Sequence, residues 1–143
     1  MSEPEKLVIK VNDADSVTAL LYPASKKTRA GTTIILGHGA GANQLSGFMR
    51  LFAAGLAERG LDALTFNFIY TEKGRGAPDP KPKLEACWRA VIDVASKHKK
   101  LKGNDLFIHP LRIWSYKSFN LCSPSYVFTI SEILRFRIIL FRF

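Results

Sequence analysis

Long apolar runs are missing from this chain. None exceeds about four to five residues, against the ~20 that a bilayer-spanning helix needs, so no helical membrane span is expected. Cysteine is nearly absent. Cys87 and Cys122 form neither a disulfide framework nor a metal-binding spacing, and Cys87 falls on the apolar side of a helical pattern. Reduced thiols, a cytoplasmic location and no bound metal are therefore expected. The N-terminal Met-Ser-Glu-Pro-Glu-Lys lacks the apolar stretch of a secretory signal, so export is not expected. Acidic residues are also few, 12 against 21 Lys and Arg, for a net charge of +9. Such a balance raises the question of an anionic partner. The basic residues are scattered, however, as Lys26, Lys27, Arg29, Arg50, Lys81, Lys83, Lys97, Lys99, Lys100 and Lys102. Residues 1–108 carry 16 basic and 11 acidic groups. Helix ends and solvated loops account for that pattern, and no specific nucleic-acid partner is expected.

Glycine and alanine are lacking from the end of the chain. All 10 glycines and all 14 alanines lie in residues 1–108, while residues 109–143 hold neither and carry 8 of the 16 aromatics. A continuous α/β fold does not lose its turn and helix residues so abruptly. The sequence therefore divides into a domain over 1–108 and a tail of different origin over 109–143. A truncated, frameshifted or alternatively spliced product explains the break best, with a divergent C-terminus as the alternative.

What is present in the first 108 residues is the alternation of an α/β sheet. Leu7–Val11 and Val17–Tyr22 are rich in strand formers, and Asn12 to Asp15 between them supply the turn of an antiparallel hairpin. Thr32–Gly37 centres on Ile34, Ile35 and Leu36, apolar without alternation, as a buried strand requires. It runs into His38, Gly39, Ala40 and Gly41, whose small side chains let backbone N–H groups approach a ligand oxygen. Over Asn43–Glu58, Leu45, Phe48, Met49, Phe52 and Leu56 share one helix face, and Gly60 sits where a left-handed cap is expected. Ala63–Tyr70 reads as a central strand, and Thr71–Pro82 as a proline- and glycine-bearing loop. Lys83–Lys100 reads as a second helix with Leu84, Trp88, Val91 and Ala95 inward, and Leu106–Ile108 as a further strand. The order β-β-β-α-β-α-β implies a parallel sheet behind an N-terminal hairpin, with flanking helices.

The His-Gly-Ala-Gly-Ala-Asn run after an apolar strand resembles the oxyanion loop of the α/β-hydrolase superfamily. With the amphipathic helix and Thr-Phe-Asn-Phe-Ile-Tyr that follow, it is similar to the dienelactone-hydrolase-like predicted hydrolases that include the testis-expressed-thirty protein. The resemblance covers about residues 5–108 and implies the N-terminal half of an eight-stranded, mostly parallel fold. It implies ester-type hydrolysis of a small molecule by a Ser-Asp-His triad without a cofactor, with His38, Gly39, Ala40 and Gly41 as the oxyanion loop. It also places the Thr71–Pro82 loop near a substrate entrance.

The pattern breaks where the nucleophile belongs. In place of Gly-x-Ser-x-Gly the chain reads His109, Pro110, Leu111, Arg112, Ile113, Trp114, Ser115, Tyr116. Ser115 has no small neighbour to permit a sharp elbow. His38, His98 and His109 read as structural or solvated, so no catalytic residue is assigned and the chain is expected to be inactive. Two other classes compete. Gly37, Gly39 and Ala42 fit a dinucleotide fingerprint, but the next strand offers no acidic residue for a ribose. A non-enzymatic interaction or scaffold protein would use the terminal Ile133–Phe143, I-L-R-F-R-I-I-L-F-R-F, as an anchor on a membrane surface or partner. The same β-prone stretch, beside an unpaired strand edge, predicts self-association.

Overall fold

The computed structural model describes residues 3–25 and 27–110. Five strands, β1 (Glu5–Lys10), β2 (Ser16–Tyr22), β3 (Thr32–Gly37), β4 (Asp62–Phe66) and β5 (Asp105–Pro110), form one sheet in the order β1-β2-β4-β3-β5. The β1–β2 hairpin is antiparallel and attaches antiparallel to β4, while β3 runs parallel to both β4 and β5. The hairpin turn is local chemistry: Asn12 Oδ1 accepts from the N–H groups of Ala14 and Asp15, both at 2.8 Å.

Helices cover both faces. α1 (Gly47–Glu58) packs Met49 and Ala53 against Ile34, Leu36 and Ala63 on one face. α3 (Lys81–Lys97) packs Leu84, Cys87, Trp88, Val91 and Ala95 on the other, with Ile35, Leu64, Phe66 and Ile108. Neighbouring β3 residues thus serve opposite cores, which is why that strand shows no polar alternation. Gly37 is fixed by this packing, because a Cβ there would lie 2.6 Å from the Trp88 ring. Gly60 ends α1 at φ +87°, with Leu61 N–H bonded to Leu56 O and Gly60 N–H to Ala57 O, a Schellman closure.

Three expectations are corrected. The strand expected over Ala63–Tyr70 stops at Phe66. Asn67 N–H makes a last bond to Thr18 O of β2 at 3.0 Å, and Ile69–Glu72 then forms one helical turn, α2. The cause is tertiary: the consecutive residues Phe68, Ile69 and Tyr70 are each 99% buried in the same core beside α3, with Phe68 and Tyr70 stacked at 5.9 Å, whereas a strand would turn Ile69 to the opposite face. The α1 face is shifted, with Leu45 before the helix and Leu45 and Phe48 62% and 61% exposed, while Ala53 takes the central buried place. α3 begins two residues earlier than expected, since Pro82 fits the first turn where no N–H partner is needed, and it ends at Lys97.

Candidate oxyanion loop and its supports

The loop from His38 to Ser46 lies at the C-terminal ends of the parallel strands, between β3 and α1. In an open α/β sheet that is the end where ligands bind. Gly41 adopts φ +77°, which lets Ala42 N–H close a turn on Gly39 O at 3.2 Å. Among the described residues the N–H groups of Gly39, Ala40 and Gly41 meet no acceptor. Side chains then pin the loop from below. Gln44 is 97% buried: its N–H donates to Asn67 Oδ1 at 2.9 Å and its Nε2 to Thr18 Oγ1 at 2.7 Å. Thr18 in turn donates through both N–H and hydroxyl to Glu72 Oε1. Leu45 N–H is capped by Asn43 Oδ1, and Met49 N–H by Ser46 Oγ.

His38 is fully buried, with its ring edge-on to Phe68 and Tyr70. Its Nε2 accepts from Phe68 N–H at 3.4 Å and faces Thr71 Oγ1 at 3.1 Å. A backbone N–H can only donate, so Nε2 is unprotonated and Nδ1 carries the hydrogen, which it donates to Gly39 O at 2.9 Å. Burial pushes the His38 pKa below its ordinary value, partly offset by the bond to Gly39 and by the Glu72 charge. This neutral imidazole ties the glycine loop to α2, and both of its nitrogens are occupied in doing so.

The sequence brings His38, Gly39, Ala40 and Gly41 together because they are contiguous; the other histidines lie elsewhere. His98 follows α3, with Nε2 3.6 Å from Glu5 Oε1. His109 sits on β5 with its ring 6.3 Å from Phe52 of α1. Cys87 is buried and its thiol is pushed up to about 11 by burial, so it is no nucleophile at neutral pH. Ser115, Cys122 and Ile133–Phe143 lie outside the described residues, as does Lys26. The register pairs Gly37 with Pro110, which puts the end of β5 level with the start of the loop. The dinucleotide reading is weakened by the same geometry. α1 starts at Gly47, well past the Gly37–Ala42 run, so its N-terminus does not open on those glycines as a pyrophosphate site requires. Gln44, Thr18 and Glu72 carry no sequence signal, and Asn67 carries one only as part of the Thr-Phe-Asn-Phe-Ile-Tyr run.

A mixed sheet led by an antiparallel hairpin, with a glycine loop after the third strand, is an α/β-hydrolase arrangement. The sequence profile of the alpha/beta hydrolase domain family matches residues 30–109, and the chain belongs to that family. Among solved structures it is similar to an alpha-beta serine hydrolase homologue from Coxiella burnetii. That likeness has 19% identity and a TM-score of 0.63, covering 78% of this chain and 53% of the other. A dienelactone hydrolase from Anabaena variabilis gives 15% identity and a TM-score of 0.63, over 76% and 52% of the two chains. An a/b serine hydrolase without lid from Xanthomonas campestris gives 14% and 0.64, over 99% and 84%. The chain thus spans about half the length of the Coxiella and Anabaena proteins. No curated protein matches it.

Proposed function

We propose that residues 1–108 carry the oxyanion-binding half of an esterase-type α/β-hydrolase, with the Ala40 N–H as one donor, and that this chain does not itself turn over substrate. The substrate class is a small ester-like molecule, no cofactor takes part, and the setting is cytoplasmic. The observation that carries the reading is the row of N–H groups at Gly39 to Gly41 that meet no acceptor among the described residues, in a loop held by His38 and Gln44 beside the end of β5. One such donor is worth ~10²–10³ in rate, but only on top of an activated nucleophile. No Gly-x-Ser-x-Gly follows β5, and His38 has neither nitrogen free to act as a base. Residues 109–143 are read as a separate tail.

Two measurements test the two halves of the reading. In a titration of the 15N-labelled chain with methylphosphonate, the amide signals of Gly39 to Ala42 move and those at the opposite end of the sheet do not. Unmoved signals there remove the oxyanion assignment. In a p-nitrophenyl acetate assay the rate stays at background. Turnover abolished by a serine-directed phosphonate removes the claim of inactivity.

A further inference from the structure

Both ends of the glycine loop are fastened to α2, a helix of 4 residues. At the start of the loop, His38 Nε2 faces Thr71 Oγ1 at 3.1 Å. At its end, Gln44 Nε2 donates to Thr18 Oγ1 at 2.7 Å, and the Thr18 hydroxyl donates to Glu72 Oε1. Thr71 and Glu72 are consecutive in α2. Neighbours on a helix point about 100° apart, so a single turn reaches two anchors on different sides. The Glu72 side chain is exposed, and among the described residues its carboxylate accepts only from Thr18, through the N–H at 2.9 Å and the hydroxyl.

A carboxylate can only accept, and that sets the direction of each bond behind it. The Thr18 hydroxyl has one hydrogen and gives it to Glu72. Toward Gln44 the same oxygen then accepts, so the amide turns its NH2 to Thr18 and its Oε1 to the Thr65 hydroxyl, 3.5 Å away. Without Glu72 the Thr18 hydroxyl is free to turn its hydrogen on Gln44, and nothing keeps the amide in one orientation. Gln44 is 3% exposed, so a partner lost there costs the full desolvation of an amide. We propose that Glu72 is a positioning residue of the oxyanion loop, acting through Thr18 on Gln44, with α2 as the clamp on both loop ends. This role deepens the oxyanion reading and rests on it for what the loop binds. Glu72 also acts on His38 by charge: burial lowers the His38 pKa and the carboxylate partly offsets that. Charge and relay separate on substitution. Glu72→Gln removes the charge and keeps an acceptor oxygen for Thr18, whereas Glu72→Ala removes both.

The test uses the 15N-labelled full chain and follows hydrogen exchange at the Gln44 side-chain amide, taken relative to the Leu64 N–H of β4 so that global opening cancels. Glu72 is exposed, so neither substitution empties the core. Exchange at Gln44 is expected to be several-fold faster in Glu72→Ala and unchanged in Glu72→Gln. Thr18→Val keeps the N–H bond to Glu72 but deletes the hydroxyl. It is expected to speed the exchange as Glu72→Ala does, and the two together to do no more than either alone. Unchanged exchange in Glu72→Ala, equal acceleration in Glu72→Gln, or a further gain in the double variant would overturn the proposal. Methylphosphonate separates it from the oxyanion reading. The dissociation constant read at the Gly39 to Ala42 amides is expected to rise several-fold in Glu72→Ala and to stay in place in Glu72→Gln, and wild-type affinity in Glu72→Ala would overturn the positioning role. A wild type that binds no methylphosphonate removes the oxyanion reading, and the exchange results then decide the relay by themselves.

Discussion

An imidazole that must accept a hydrogen bond is a liability in acid, and His38 is in that position. Protonation at Nε2 would set two donors, Phe68 N–H and the new N–H, against each other inside the core. Burial lowers the folded pKa, so between that value and the ordinary 6.5 the unfolded chain binds a proton that the folded chain does not. Stability therefore falls as pH drops through this window, by up to about 1.4 kcal/mol per unit for one proton. Urea midpoints at pH 7.5 and 5.5 are expected to differ more in the wild type than in His38→Gln. Equal shifts in the two would show that another group sets the acid sensitivity. At this scale the candidate site was half legible. His38 to Gly41 stand out because glycines and a histidine after an apolar run are a local signal. Gln44 does not stand out, because what makes it a support is Thr18 and Asn67, 26 and 23 positions away.

At the scale of elements, the sheet is tied at its opposite end by Asp62, the first residue of β4. Its carboxylate is fully buried and accepts from Arg29 Nε and Nη2, from Ala24 N–H and from Asn104 Nδ2. One side chain thereby joins the loop after β2, strand β4 and the turn into β5. Removing one member leaves the rest desolvated and unpaired, so Asp62→Asn is expected to cost roughly 3 kcal/mol in chemical denaturation. Replacing both charges, as Asp62→Asn with Arg29→Met, should cost less than the two single changes summed. Strict additivity would mean that the pair does not act as a unit. Strand and helix identities were legible here wherever the period was long, as in α3 and the hairpin. They were misread over Ala63–Tyr70, because a run of β-prone residues with alternating aromatics scores as strand whichever way the chain turns after it. The turn after Asn67 is accompanied by long-range contacts, Gln44 N–H on the Asn67 side chain and Phe68 N–H on His38 Nε2, which local propensity does not include.

For the molecule as a whole, protection should follow strand position. β3 and β4 have a partner on each side and a helix over each face, whereas β1 lies at the edge of the described sheet with Val8 72% exposed. Native-state hydrogen exchange is expected to be slowest at Ile34 to Leu36 and Ala63 to Thr65, and fastest in β1 and α2. Uniform protection across all five strands would contradict that order. The same strand order also sets a clock. β3 can pair with β4 soon after both are made, but the partner for its other edge arrives much later: Thr33 and Asn104, bonded at that seam, are 71 positions apart. At about 5–20 residues per second of synthesis, the β3 edge stands bare for roughly 4–14 s in every newborn chain. During that interval the nascent protein depends on being shielded from its neighbours.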